Sequence, residues 1–518
     1  MRPFRPSLFA VFLFAATLTM MSESAKAENN FVDTRITFTF GDDNFRADAG
    51  ETMVDSPRIG FGDRPGYNLF FDNLDTQYSG RENLLHLVLY KKMPGFIPGL
   101  TTEAAIVAKA DFADANNIRF LDDGTYLRLD YDFSQGRVKN APALDITMFP
   151  ISTDRFRVGY LYSITWGGSK IFPGAKDNLT PGAKVQFRWK WGYAFAGMKT
   201  ARILTNPPPG GGETSKGRES ETFYGGLGGV GLDLPAGMKV EASGGYFLMG
   251  ENPNNGVEGE LVQTFGGSMR VSHNKGMPIG ISTDLKLYRT DAEFLDSIGR
   301  KESYKKGISY QIALEGTFMG QVLEDPDNFG NTKIQTGYAG ALSAKFKWNY
   351  LRAHLTTFVR SVEFILHNVP SFVPYQALSP EVNAKPEMFV ALGADWYFKR
   401  RKLTVGAMFG SVVVPARVET ELTAQMGAQP EVLGKKTLVI REEGDFSILP
   451  DGKSAKPIWA GKLSLRWDLS RMFTVMGVLL FQYDRNFTNL TTLANGTAKL
   501  TYEDPYRIGA MVFTQARF

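Results

Sequence analysis

Cysteine is absent from all 518 residues, and histidine occurs only four times. Without cysteine there is no disulfide framework and no thiolate metal site, so the fold must hold by packing and hydrogen bonding alone. The histidines, at His86, His273, His354 and His367, show no metal-ligand spacing, and His367 has only Glu363 at helical distance. Neither sign of charge dominates, with 58 Lys plus Arg against 54 Asp plus Glu. That near-balance excludes nucleic-acid binding by bulk charge. Long apolar runs are missing too: Val475 to Phe481 is short and broken by glycine, and beyond the first 27 residues nothing approaches the roughly 20 residues a spanning helix needs. Helical i, i+3, i+4 spacing of apolar residues is equally scarce. No phosphate-cradling loop precedes a helix, because Gly225-Gly226-Leu227-Gly228-Gly229 lies within a strand pattern, where its glycines suit curvature or close packing. An enzyme is not expected, and no cofactor is implied.

Glycine is plentiful at 54 copies and aromatics reach 13%, while only 43% of residues are hydrophobic. The apolar residues are spread thinly and evenly, which suits a sheet one residue thick with a different solvent on each face. Residues 1–27 read as a secretory leader: Arg2 and Arg5, an apolar run from Leu8 to Met21, then the small-x-small site Ala25-Lys26-Ala27. Removing Arg2, Arg5, Lys26 and Glu23 with it leaves 55 bases and 53 acids, a net +2. Residues 28–518 are expected to form a single domain.

The recurrent theme is a segment of about ten residues with period-two alternation, the mark of a strand with two unlike faces. Val32, Thr34, Ile36, Phe38 and Phe40 share one face, as do Leu127, Leu129, Tyr131 and Phe133. Phe156, Val158, Tyr160, Tyr162, Ile164 and Trp166 form another such set, and Val185, Phe187, Trp189, Trp191, Tyr193 and Phe195 the strongest. The pattern recurs around 238–249, 278–290, 307–319, 338–348, 351–363, 388–398, 458–469 and 472–485. Tight connections (Asp233 to Gly237, Asn349-Tyr350, Lys399 to Lys402, Ser470-Arg471) alternate with long ones at 41–83, 196–220, 364–387, 413–457 and 486–504. Two further connections, near 167–181 and 291–306, break that rhythm; either a strand lies unread there or some long connections share the rim of the tight turns. The tract Pro207 to Gly212 is a turn or loop, since proline cannot donate to a central ladder.

The chain closes on the same rhythm. Tyr506, Ile508, Ala510, Val512, Thr514, Ala516 and Phe518 lie on one face of a final strand that ends in an aromatic residue. With the leader, the strand rhythm and the long-loop tendency, this ending resembles the outer-membrane β-barrel proteins of Gram-negative bacteria, the porin-like ones in particular. The resemblance implies an all-β fold, a closed antiparallel transmembrane β-barrel of about 18 strands (roughly 16 to 20) in the cell outer membrane. It implies that Tyr506, Ile508, Ala510, Val512 and Phe518 serve as the barrel-assembly signal read by the outer-membrane assembly machinery. It places Trp166, Trp189, Trp191 and Tyr193 in an aromatic girdle against membrane lipids. The opposite faces would line the lumen, with Arg128, Arg155, Arg157, Lys184, Arg188, Lys190, Lys345, Lys347, Arg352 and Arg466 as its basic side chains. The expected function is passive diffusion of small hydrophilic solutes with a mild anion preference, and a homo-oligomer is compatible with this. A barrel for export, of polysaccharide for example, and a structural or adhesive barrel with a plugged lumen are the alternatives.

Overall fold

The computed structural model describes residues 30–42, 46, 84–111, 119–122, 124–138, 141–153, 156–172, 179–204, 220–254, 256–276, 307–367, 375–426, 429–440, 446–470, 472–492 and 498–517. The leader, Arg155, the Pro207–Gly212 tract, the strand expected at 278–290 and Phe518 lie outside them.

From the amino end the strands are β1 (Asn30–Asp42), β2 (Leu84–Pro94), β3 (Leu100–Asp111), β4 (Arg119–Asp122), β5 (Tyr126–Asp132), β6 (Ala143–Phe149), β7 (Gly182–Trp189), β8 (Gly192–Leu204) and β9 (Ser220–Asp233). They continue as β10 (Met238–Glu251), β11 (Leu261–Lys275), β12 (Ile308–Glu324), β13 (Thr332–Trp348), β14 (Leu351–Arg360), β15 (Asn383–Lys385), β16 (Glu387–Phe398) and β17 (Leu403–Val414). The last are β18 (Arg417–Met426), β19 (Gln429–Ile440), β20 (Phe446–Leu449), β21 (Ile458–Asp468), β22 (Phe473–Tyr483), β23 (Thr488–Thr492), β24 (Ala498–Tyr502) and β25 (Tyr506–Arg517). No helix among the described residues is long and apolar enough to cross a membrane.

Nineteen strands pair into one sheet. Strands of this sheet that follow one another along the chain pair antiparallel, as β12 does with β13 over the full span from Ile308↔Trp348 to Glu324↔Thr332, except that β4 and β5 both pair with β3. The first strand pairs with β2 through Asn30↔Lys91 to Thr37↔Leu84, and also with the last, β25, through Arg35↔Arg517 to Asp42↔Ala510. The connections at 95–99, 190–191, 234–237, 349–350, 399–402 and 469–472 lie at one rim, and the long ones at 150–181, 361–386, 415–457 and 484–505 at the other. The break in rhythm near 167–181 thus disappears, because 150–181 is a single connection. The β11–β12 connection is long yet leaves and rejoins the sheet at the tight-turn rim.

The distribution of side chains inverts that of a soluble protein. Leu314, Phe318, Leu463, Leu479 and Trp467 are half or more exposed on one face, while Lys184, Glu241, Glu315, Arg352 and Asp395 are buried on the other. Contiguous apolar surface of this extent on a water-soluble molecule would mark it for association. Trp348 pairs across to Leu351, Leu351 to Trp396, and Leu403 to Trp467, so outward indoles cluster near the tight-turn rim with Trp189 and Trp191.

The connections at the other rim carry structure that reads as featureless loop in the sequence. β15, β18, β19 and β20 form a separate four-stranded sheet, and β23 pairs with β24. A short helix, α1 (Val362–Leu366), is capped by Ser361, whose Oγ accepts from the Phe364 N–H at 3.2 Å. Its Val362, Ile365 and Leu366 bury against Val418, Leu438 and Ile440 of that small sheet.

Two expectations need correction here. The strongest alternating stretch is two strands: β7 and β8 meet at Trp189↔Gly192 with Lys190-Trp191 as the turn. Reversing the chain puts Tyr193 opposite Arg188 on the inner face, where its hydroxyl donates to Glu241 at 2.9 Å. Tyr193 is therefore buried, not part of an outward girdle, and Lys190 lies exposed on the turn, 5.8 Å from the Trp191 ring, not on the inner wall. Second, 156–166 is not a wall strand. It is part of the β6–β7 connection, folded back by a Val158↔Trp166 bridge, and Trp166 is buried at 1% exposure. Its alternation is real but records a connection buried by the sheet rather than an edge facing lipid.

Candidate functional site

The inner face of the sheet collects the charged residues, and most of the basic ones meet an acid. Arg128 is bonded to Asp145 and lies within ion-pair distance of Asp130 and Glu103. Arg188 reaches Asp130 at 2.5 Å, Arg270 reaches Glu241 at 3.3 Å, Arg352 reaches Asp395 at 2.6 Å, and Arg360 reaches Glu387 at 2.5 Å. Arg466 lies 3.1 Å from Asp468, and the Lys184 ammonium donates to Gln186 at 3.1 Å. Lys347 is buried, and Lys345 shares its face. These pairs follow from strand geometry: side chains two apart on a strand, or opposite across a ladder, share a face within reach of long side chains. Arg352↔Asp395 and Arg360↔Glu387 are directly opposed on β14 and β16.

Across this face lies the β6–β7 connection. Glu315, on β12, uses both carboxylate oxygens to hold it: the Tyr160 N–H donates to Oε1 at 2.8 Å and the Leu161 N–H to Oε2 at 2.7 Å. The Ser268 hydroxyl donates to the same carboxylate at 2.6 Å. Gly159 precedes those amides with φ of +100°, and a Cβ there would come within 2.9 Å of Glu315 Oε1, so glycine is required for the close approach. The Gly159 N–H donates to Ser243 on β10 at 3.0 Å, and Trp166 Nε1 donates to Thr317 on β12 at 3.1 Å.

Lys199 of β8 anchors the connection from the opposite flank. Its ammonium, fully buried, donates to the carbonyls of Thr153 (3.1 Å), Phe156 (2.6 Å) and Gly167 (2.7 Å). Three carbonyl dipoles offset the desolvation of that charge. Arg360 of β14 adds a bond to the Ser163 carbonyl at 3.3 Å. Aromatic contacts complete the seat: Trp166 lies edge-on to Phe247 at 5.7 Å, and Phe156 is 5.8 Å from Phe195. The wall leaves room for these rings by lacking side chains, since a Cβ on Gly225 would sit 2.2 Å from Phe247 Cδ1.

Of the sequence-predicted residues, Arg128, Lys184, Arg188, Lys345, Lys347, Arg352 and Arg466 are on the inner face. Arg157 is on the connection that crosses it, not on a wall strand. Tyr506, Ile508, Ala510 and Val512 lie on the outer face of β25. Sequence reasoning missed Lys199 and Thr317, and it misplaced Trp166. The signal available was the glycines Gly159, Gly167 and Gly168 within an alternating stretch followed by Pro173, a composition poor for a wall strand. Among the described residues no group of three His, Asp or Glu side chains is arranged to hold a metal ion.

No protein-family model matches the chain, and no curated protein matches it. Solved structures resemble it loosely over nearly their whole length. OccK11 (OpdR) of Pseudomonas aeruginosa is 8% identical, with 95% of this chain and 96% of that one covered at a TM-score of 0.41. OccK2 (OpdF) of the same organism, solved in complex with glucuronate, is 7% identical, with 95% and 99% covered at 0.40. OmpT, an outer membrane protein of Vibrio cholerae, is 9% identical, with 96% and 100% covered at 0.33. Likenesses this loose carry no functional inference, and the strand pairings stand without them.

Proposed function

We propose that the chain is a porin-like channel of the outer membrane, a closed barrel through whose lumen small hydrophilic solutes diffuse. Following the pairings from β1 back to β1 passes through eighteen strands: β1–β3, β5–β14, β16, β17, β21, β22 and β25. The pairing of β1 with β25 supports closure, which alone satisfies every backbone group of strands in hydrocarbon. The observation that carries the reading is the inverted distribution, with large apolar side chains exposed on one face and paired charges enclosed on the other. Barrels of this size leave an aqueous passage. The protein acts by letting solutes through, not by chemistry on them. The tight turns face the periplasm and the structured rim faces outward, and the last strand is the part the assembly machinery reads.

Purified protein in planar bilayers is expected to give steady ohmic openings, and in SDS its mobility is expected to change on boiling. Silence in the bilayer with normal heat-modifiability would favour the plugged alternative, to which the pinned β6–β7 connection lends weight. The many acid partners of the basic wall leave the anion preference mild, so the reversal potential in a potassium chloride gradient should lie slightly to the anion side. A clear cation selectivity would contradict this.

The outward face offers a direct check on the solvent it meets. Leu463→Arg, in the middle of β21, should cost about 2–4 kcal/mol of folding stability in bilayers. Ser464→Arg, one residue on and facing inward, should cost far less. Equal costs, measured by urea titration of folding into vesicles, would contradict the assignment of faces.

A further inference from the structure

On the outward face, strands β14 to β25 border an apolar groove, two adjoining hollows of about 560 Å³ and 620 Å³ that share Ala394, Ala407, Leu463 and Leu479. Its floor is low because Ala394 pairs with Ala407 across β16 and β17, between the larger pairs Leu392↔Phe409 and Trp396↔Val405. From Ala394 toward the tight-turn rim, Trp396 and Phe398 stand outward and exposed, and the chain then enters the turn Lys399-Arg400-Arg401-Lys402. All four bases are exposed, and among the described residues none of them makes an ion pair, in contrast to most bases of the inner wall. The acid beside the turn is already engaged: Asp468, whose N–H donates to the Lys402 carbonyl, is buried and holds Arg466 and Thr474 through its carboxylate. The charge is one-sided across the rim. In the six tight connections at 95–99, 190–191, 234–237, 349–350, 399–402 and 469–472, the only charged residues are these four with Lys190 and Arg471.

We infer that this turn and groove together seat one anionic phospholipid of the leaflet at the tight-turn rim, its phosphate on the four bases and an acyl chain in the groove. The inference rests on the outer-membrane barrel proposed above, not on its conductance. Clustered bases immediately beside a membrane span attract anionic headgroups, and the guanidiniums of Arg400 and Arg401 can each fork onto two phosphate oxygens. The dimensions agree. Lys399 lies five residues from Ala394, roughly 17 Å along β16 and about 13 Å in depth at the tilt of a barrel strand. One leaflet contributes about half of a hydrocarbon core roughly 30 Å thick, so a chain anchored at the turn ends in the groove. Trp396 and Trp467 flank its path at the depth where indoles meet headgroups. A second copy of the protein suits the face less well. In a two-fold pair the groove would oppose itself, concave against concave, with the two basic turns side by side.

The test is native mass spectrometry of the folded full-chain protein released from detergent micelles, titrated with phosphatidylglycerol or, as the zwitterionic comparator, phosphatidylcholine of the same chains. The first phosphatidylglycerol should be retained at a concentration at least about tenfold lower than phosphatidylcholine, since each base near an anionic headgroup contributes about fivefold. Replacing Lys399, Arg400, Arg401 and Lys402 together by glutamine should reduce that preference to about twofold or less. Ala394→Leu/Ala407→Leu, which fills the groove and leaves the charge alone, should weaken both lipids at least about fivefold and keep the preference. A band shift on boiling in SDS confirms that each variant is folded, and the wild-type preference needs no variant at all. Equal retention of the two lipids by the wild type, or a preference that survives the glutamine variant, would overturn the site and leave the channel intact. Displacement by glycerophosphoglycerol, the headgroup without chains, at the concentration where the lipid binds would overturn it in favour of a soluble phosphate compound. A lipid-free dimer that the groove-filling variant abolishes would assign the face to a second copy instead. A protein that stays dispersed without detergent would remove the barrel, and the lipid site with it.

Discussion

Replacing Glu315 by alanine should raise single-channel conductance and make the open current noisy, because the β6–β7 connection loses its main tether to the wall. The carboxylate accepts from two consecutive backbone amides and one hydroxyl. Hydrogen bonds to a charged group contribute roughly 1.5–3 kcal/mol each. Losing even one shifts the ratio of seated to released connection by about tenfold or more. Glu315→Gln is the sharper variant, since glutamine can accept through one oxygen but must turn an NH2 toward a backbone N–H. Its conductance should lie between wild type and alanine. The wall strands pair independently of this residue, so heat-modifiability in SDS should persist in both variants. Unchanged conductance in the alanine variant would show that the connection does not narrow the passage. If the wild type is silent and the alanine variant conducts, the plugged reading applies to the native protein.

Arg352→Ala should be among the most destabilising single substitutions in the inner wall. Arg352 is 1% exposed, with Nε and Nη2 both 2.6 Å from Asp395 Oδ1 on the neighbouring strand. Truncating it leaves Asp395 buried without its guanidinium, a class of change that costs about 3–5 kcal/mol. The loss should be visible as a lower urea midpoint for unfolding from vesicles, followed by tryptophan fluorescence. Replacing both residues, as in Arg352→Met/Asp395→Leu, should recover most of it, because a buried pair contributes little net stability over well-packed apolar side chains. A single substitution without measurable cost would mean that water reaches Asp395 freely, contrary to its burial.

The wall strands were legible where one face meets an apolar surrounding and the other a polar interior. That contrast writes itself into alternate residues, as along β12, β16 and β21. It failed at Lys190-Trp191, where the turn lacks the asparagine or proline that usually marks one and only Gly192 hints at reversal. It failed again at 156–166, because a connection folded against an inner wall also buries every second residue. Apolar alternation reports that a face is covered, not by what. The small rim sheet was unreadable for a related reason: its short strands β15 and β20 hold too few residues to establish a period.

The inner wall shows the same division. That Arg128, Arg188, Arg352 and Arg466 share an inward face follows from spacing alone. That Arg466 meets Asp468 follows from spacing too, since the two lie two apart on one strand, whereas the acids beside Arg128, Arg188 and Arg352 depend on register between strands, in some cases far apart in sequence, such as Arg188 and Asp130. Lys199 carried no local mark at all, since its three carbonyl partners come from a segment more than thirty residues away.

Local alternation, composition and the absence of cysteine and of apolar runs were enough to define a two-faced antiparallel sheet, because side-chain direction along a strand is set by the backbone within a few residues. Which charges neutralise one another and where the β6–β7 connection comes to rest were decided only by the assembled sheet. Those outcomes depend on ladder register and on distances between residues the chain keeps apart until it folds.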